Sequence, residues 1–246
     1  MRSNIIVLVR EELKRIMSYN RNVVVMLAFF LFVSFVPIFV LKQGIQELPA
    51  GVASPAQMLR EFTRLFFFTY SVSLVIFLIH AISMDIFISD KKEGALVFLL
   101  TTPIGLKNLW LAKSLALFIL GYSTTLLSTL VFVICANLIL LGKVTCLPDS
   151  IMVFYLFSVL PVLIFSTTTL AGLGQIIARR FSSINFFLFL IAFVVMGIPS
   201  FLVNRLTVVN TSVFFWIYSG VTVFVVITVV IAQKIFLNKE RVVLSS

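Results

Sequence analysis

Residues 109–141 read LWLAKSLALFILGYSTTLLSTLVFVICANLILL, thirty-three positions carrying a single charge, Lys113. A helix needs about twenty largely apolar residues to cross about 30 Å of hydrocarbon. This run exceeds that length, so it is expected to tilt or to extend beyond the bilayer. Working outward, five more runs of the same kind appear at Val23–Leu41, Leu65–Ile88, Ile151–Ala178, Phe181–Val203 and Ser212–Phe236. Six membrane-spanning helices are therefore expected, in an all-α integral membrane fold.

Composition agrees. The 246 residues are 61% hydrophobic and 11% charged, and the mean hydropathy is +1.18. Soluble domains carry about 25% charged residues because water must wet their surface. The apolar surplus must face lipid, and no stretch is polar enough for a separate soluble domain, so residues 1–246 form one membrane domain. The net charge of +10 does not indicate nucleic acid, because the basic residues sit at the ends of apolar runs. Most of the 27 Phe residues lie inside those runs and pack or face lipid. Cys135 and Cys146 read as small packing residues rather than as a disulfide framework. The start, Met1-Arg2-Ser3-Asn4, lacks the apolar core and small-residue cleavage site of a signal peptide, so the first span is expected to target the chain.

Orientation follows from Lys and Arg. With six spans, one side holds fourteen: Arg2, Arg10, Lys14, Arg15, Arg21, Lys91, Lys92, Lys107, Lys113, Arg179, Arg180, Lys234, Lys239 and Arg241. The other holds five: Lys42, Arg60, Arg64, Lys143 and Arg205. The richer side is expected to be cytoplasmic, with both termini there and the chain in the cell membrane. Before the first span, in residues 1–22, Ile5, Ile6, Val9, Leu13, Ile16 and Met17 form one helical stripe. Arg10, Glu11, Glu12, Lys14 and Arg15 lie opposite. That pattern suits a helix lying in the cytoplasmic interface, its basic side chains reaching lipid phosphates. Lys42–Arg64 reads as an irregular outer loop with a helix start at Ser54-Pro55. Asn210-Thr211-Ser212 matches a glycosylation acceptor on the outer side, a tripeptide common by chance.

Chemistry within the membrane is sparse. His80 and Asp85 are the ionisable residues best placed near a span's inner end, and a spacing of five does not put them on one helical face. Either is close enough to the interface to be solvated or paired, with Lys113 as a partner for Asp85. No metal-ligand cluster or serine elbow appears. A phosphate-binding loop needs Gly-x-x-x-x-Gly-Lys and a hydroxyl residue; Gly142-Lys143-Val144 lacks the first glycine and the hydroxyl. The chain is expected to bind no ATP, and energised work would need a motor on another polypeptide. Clustered hydroxyl and amide residues in the third and fourth spans, including Ser123, Thr124, Ser128, Asn137, Thr168 and Thr169, are candidates for a translocation path. Bonding to their own helix backbone, or across helices, is the plainer role for such residues. Pro161 and Pro199 are expected to kink their helices.

The inner loop, residues 89–108, carries the most information. From Ser89 to Lys113 it reads SDKKEGALVFLLTTPIGLKNLWLAK. A charged start, an apolar middle and a proline stop describe a short helix, with Asp90 and Glu93 spaced as a capping box. Leu96, Leu99, Leu100 and Pro103 then form an apolar face beside charges, which suits a docking surface or a helix lying on lipid. The stretch resembles the inner loop of the membrane subunits of type-2 ATP-binding cassette exporters. That loop runs acidic-basic-acidic, a variable residue, then Gly-Thr-Leu-Glu, leucines, a small-residue pair and Pro, with Lys ten positions later. Asp90, Lys91, Gly94, Leu96, Leu99, Leu100, Pro103 and Lys113 match without a gap, whereas Lys92 and Val97 replace acidic residues.

The resemblance implies a permease with a coupling helix in that loop, where Asp90, Lys91, Lys92, Glu93, Gly94 and the apolar residues after them would dock on a separate ATPase subunit. It implies a homodimer or heterodimer of permeases around a translocation path, with ATP and magnesium held by the partner and no cofactor on this chain. Export is the direction that the family implies; no residue specifies the cargo. The competing expectation is a multispan enzyme or assembly factor without an ATPase partner, which needs an intramembrane constellation that the sequence hardly offers.

Overall fold

The structure is a computed structural model and describes residues 5–46, 54–70, 76, 78, 79, 82, 106–177 and 211–236. Every described element is helical. Helix α1 spans Ile5–Ser18, α2 Asn20–Gln46, α3 Pro55–Leu65, α4 Leu106–Leu141, α5 Ser150–Phe154, α6 Leu160–Ile177 and α7 Thr211–Phe236. Two wide π-helical turns join in, Phe66–Tyr70 after α3 and Tyr155–Val159 between α5 and α6. Four stretches are long and apolar enough to cross a membrane: Asn20–Gln43, Lys107–Leu141, Ser150–Leu173 and Ser212–Lys234. The expected fifth span, Phe181–Val203, lies outside the described residues, as do most of the second span and Pro199.

Helix α4 is the hub, packing against α1, α2, α3 and α6, while α7 packs on α6. Burial follows this order: 17% of the most apolar stretch of α2 and of α7 is buried, against 44% for α4. The outer helices thus present bare hydrocarbon, with Phe39 of α2 65% exposed and Phe224 of α7 71% exposed. A contiguous surface of that kind is stable against lipid, not water.

Two apolar clusters stack along α4. At the end bearing Lys107 and Lys113, Trp110, Ala116 and Leu117 meet Ile16, Leu78, Ile82 and Leu173. Toward the other end, Phe132, Val133 and Ala136 meet Phe66, Phe67, Phe68, Tyr155, Phe214 and Tyr218. The Phe66 and Phe132 rings stack at 4.0 Å between centroids.

Local chemistry accounts for the helix ends. Ser54 caps α3 through a capping box: its hydroxyl accepts from the Gln57 amide at 3.2 Å, and the Ser54 amide donates to the Gln57 side chain at 3.2 Å. Pro55 follows at the first helical position, where a missing N–H costs nothing. Helix α4 ends at Gly142, whose φ of +67° closes a bond from its amide to Leu138 O, a left-handed cap that a side chain would strain. The fourth apolar run is interrupted just before Pro161, as its proline foreshadows. The Leu160 amide reaches Tyr155 O, five residues back, and the turn widens ahead of the ring that cannot donate. Pro37 sits inside α2.

Candidate functional site

Two polar junctions sit at opposite ends of α4, with a seam of hydroxyls between them. At the basic end, α1 lies against the foot of α4. Its apolar stripe divides: Val9, Leu13 and Ile16 pack into the Trp110 cluster, whereas Ile6 and Met17 stay 71% and 47% exposed. The opposite face is not wholly solvated, contrary to the expectation for an interfacial helix. Glu12 turns inward, its side chain 13% exposed, and Lys113 Nζ meets its Oε1 at 3.3 Å with the Lys113 side chain 3% exposed. Arg15 Nη2 stands 3.3 Å from the other Glu12 oxygen. Glu12 is thus a partner of Lys113; Asp85 lies outside the described residues.

Two further bonds brace this junction. The Trp110 indole donates to Thr169 O at 3.3 Å, joining α4 to α6, and the Asn22 amide donates to Ile16 O at 3.2 Å, joining α2 to the end of α1. Ion pair, indole and amide together make α1, α2, α4 and α6 one connected body. A buried pair of this sort adds little net stability, because desolvating both charges offsets much of their attraction.

The seam candidates fall on α4 and α6. Thr124, Ser128, Asn137, Thr168 and Thr169 are buried and Ser123 is exposed. Each buried hydroxyl donates to its own helix: Thr124 to Leu120 O at 2.8 Å, Ser128 to Thr124 O at 2.7 Å, Thr168 to Ile164 O at 2.6 Å and Thr169 to Ser166 O at 2.8 Å. Such bonds satisfy each hydroxyl on a carbonyl of its own helix. Asn137 does something else. Its amide donates to Val133 O at 2.8 Å and Cys146 O at 2.9 Å, and its oxygen accepts from the amides of Thr145 and Cys146 at 3.1 and 2.8 Å. It staples the loop after Gly142 onto the helix.

At that far end a charged cluster ties α3 to the start of α5. Arg60 reaches Asp149 Oδ1 at 3.1 Å, Arg64 reaches Oδ2 at 3.0 Å, and Arg64 also pairs with Glu61 at 2.8 Å. Partial burial pushes the Asp149 carboxyl up, but hydrogen bonds and charge from Arg60 and Arg64 outweigh it and hold the group below the usual carboxylate range. Sequence reasoning counted these arginines only as outer charges. Their four-residue spacing, which puts both on one helical face, was the available signal; nothing local pointed to Asp149.

The loop candidates Asp90, Lys91, Lys92, Glu93, Gly94, Leu96, Leu99, Leu100 and Pro103 lie outside the described residues, as do His80 and Asn210. Among the described residues no group of His, Cys, Asp and Glu is assembled to hold a metal, and Cys135 and Cys146 are free thiols. No family model, curated protein or solved structure matches the chain.

Proposed function

We propose that this chain is the permease subunit of a type-2 ATP-binding cassette exporter, spanning the cell membrane six times with both termini in the cytoplasm. Two copies, or one copy with a second permease, face each other around the path, and separate ATPase subunits carry ATP and magnesium. One observation carries this reading. Lys113, the last residue in the loop resemblance, is buried against Glu12 of the amphipathic α1 at the foot of the central helix. The inner loop leads directly into α4, so a pull on the loop would move α4 and α1 together instead of bending a free tail. Packed helices that shift as rigid bodies are how closure of a motor reaches a membrane path.

In this reading Asp90, Lys91, Lys92, Glu93 and Gly94 sit at the contact with the ATPase, and Leu96, Leu99 and Leu100 fill an apolar groove on it. The test replaces those three leucines with Asp. An unpaired charge buried in such a groove costs several kcal/mol, about the difference between micromolar and millimolar affinity. Membrane insertion should be unchanged and co-purification of an ATP-binding chain in detergent should be lost. Undiminished recovery of that chain with the triple variant would refute the docking role.

A further inference from the structure

Helices α3 and α5 are lightly packed. Of the eleven residues of α3 only Leu59 and Thr63 are buried, and of the five of α5 only Met152. Directly after each comes a π-helical turn, Phe66–Tyr70 and Tyr155–Val159, and there the packing becomes dense. Phe66, Phe67, Phe68 and Tyr155 are at most 2% exposed, and the Phe68 and Tyr155 rings meet at 4.7 Å between centroids. A π turn holds one residue more than an α turn needs, and such turns recur at functional sites. Moving that extra residue along the helix rotates the segment beyond it by about 100° without breaking the chain. Two such turns, in contact at the boundary between dense and light packing, have the form of a double hinge.

Polar contacts hold the two short helices together. Asp149 occupies the N-cap position of α5, yet its side chain makes no capping bond and is given instead to Arg60 and Arg64 of α3. Beside it, Cys146 Sγ lies 3.6 Å from Ala56 O in the first turn of α3. One buried group works against this closed packing. The Tyr155 hydroxyl is buried with no hydrogen-bond partner among the described residues, a penalty that access to water would relieve. We propose that α3 and α5 form one latched lid over the aromatic core, hinged on the two π turns, held shut through Asp149 and opening as a unit. The lid rests on the packing of the described helices and not on the exporter reading, so either can fail without the other.

The test is amide hydrogen exchange of the protein in nanodiscs, read by mass spectrometry well below the unfolding temperature. Asp149→Asn removes the charge and keeps a side chain that caps a helix equally well, so a lost cap does not explain loosening of α5. Peptides from 55–65 and 150–159 should exchange about tenfold faster together, a factor within reach of two part-exposed ion pairs, while 126–141 stays unchanged. Arg60→Gln, at a side chain 57% exposed, should give the same pattern at smaller size. In a Cys135→Ala background, Asp149→Asn should also speed modification of the Cys146 thiol by a maleimide. Tyr155→Phe should slow exchange of both helices about fivefold, the reverse of what losing a structural contact does. Faster exchange at 150–159 alone, an equal rise across 126–141, an unchanged Cys146 rate, or faster exchange with Tyr155→Phe would each overturn the lid.

Discussion

Replacing Lys113 with Met removes one side of a buried ion pair and leaves the Glu12 carboxylate, 13% exposed, at the foot of α4. Breaking such a pair costs about 3–5 kcal/mol, because the remaining charge stays desolvated without its partner. Arg15, 3.3 Å from the second Glu12 oxygen, offsets part of this, and the expected loss falls below that range, at about 2–3 kcal/mol. In a chain of this size that corresponds to a fall in Tm of roughly 5–10 °C. Helix α1 should loosen from α4, so trypsin in detergent should cut at Arg10 and Lys14 faster than in the parent. The double replacement Glu12→Met with Lys113→Met removes both charges of the pair, fills the site with side chains of similar length and leaves Arg15, whose side chain is 35% exposed, to turn to solvent. It should recover most of the lost stability, giving a coupling energy of about 2 kcal/mol in the double-mutant cycle. The assay is thermal unfolding of all four proteins in one detergent. A double variant whose loss equals the sum of the singles would show that Glu12 and Lys113 act independently, and the connected body at the basic end would fall with it.

At the other end, the Asp149 carboxyl titrates below its unfolded value because two arginines favour its charged form, despite its partial burial. The stabilisation is therefore complete above the unfolded pKa of about 3.9 and is lost as pH falls through the lower folded value. Asp149→Asn should flatten the stability profile below about pH 4 while lowering stability at neutral pH, read from Tm across a pH series. Topology is tested by single cysteines in a background lacking Cys135 and Cys146: Ser3, Gly105 and Ser245 should be shielded from an impermeant thiol reagent in intact cells, and Ala53 should react. Labelling at Ser245 but not at Ser3 would require an odd number of spans and end the six-helix reading.

The local signals in the sequence were sufficient for what is local. Long apolar runs became α2, α4, α6 and α7, Ser54-Pro55 started a helix, and Pro161 marked the disturbed turn beside it. Helix α1 even disclosed part of its packed face, because an amphipathic stripe records which side is buried: Val9, Leu13 and Ile16 are in the inner cluster. The long helices carry no such record. They are apolar all round, so their pattern says that they are surrounded by hydrocarbon and leaves open which face meets lipid and which meets another helix. That rotation was fixed only by tertiary packing, and with it every long-range polar contact. Lys113 found Glu12, Arg64 found Asp149 eighty-five residues away, and Asn137, a candidate for a path, came to hold a loop. Hydrogen bonds and ion pairs act over about 3 Å, so a turn of one helix by a single position decides which of them exist.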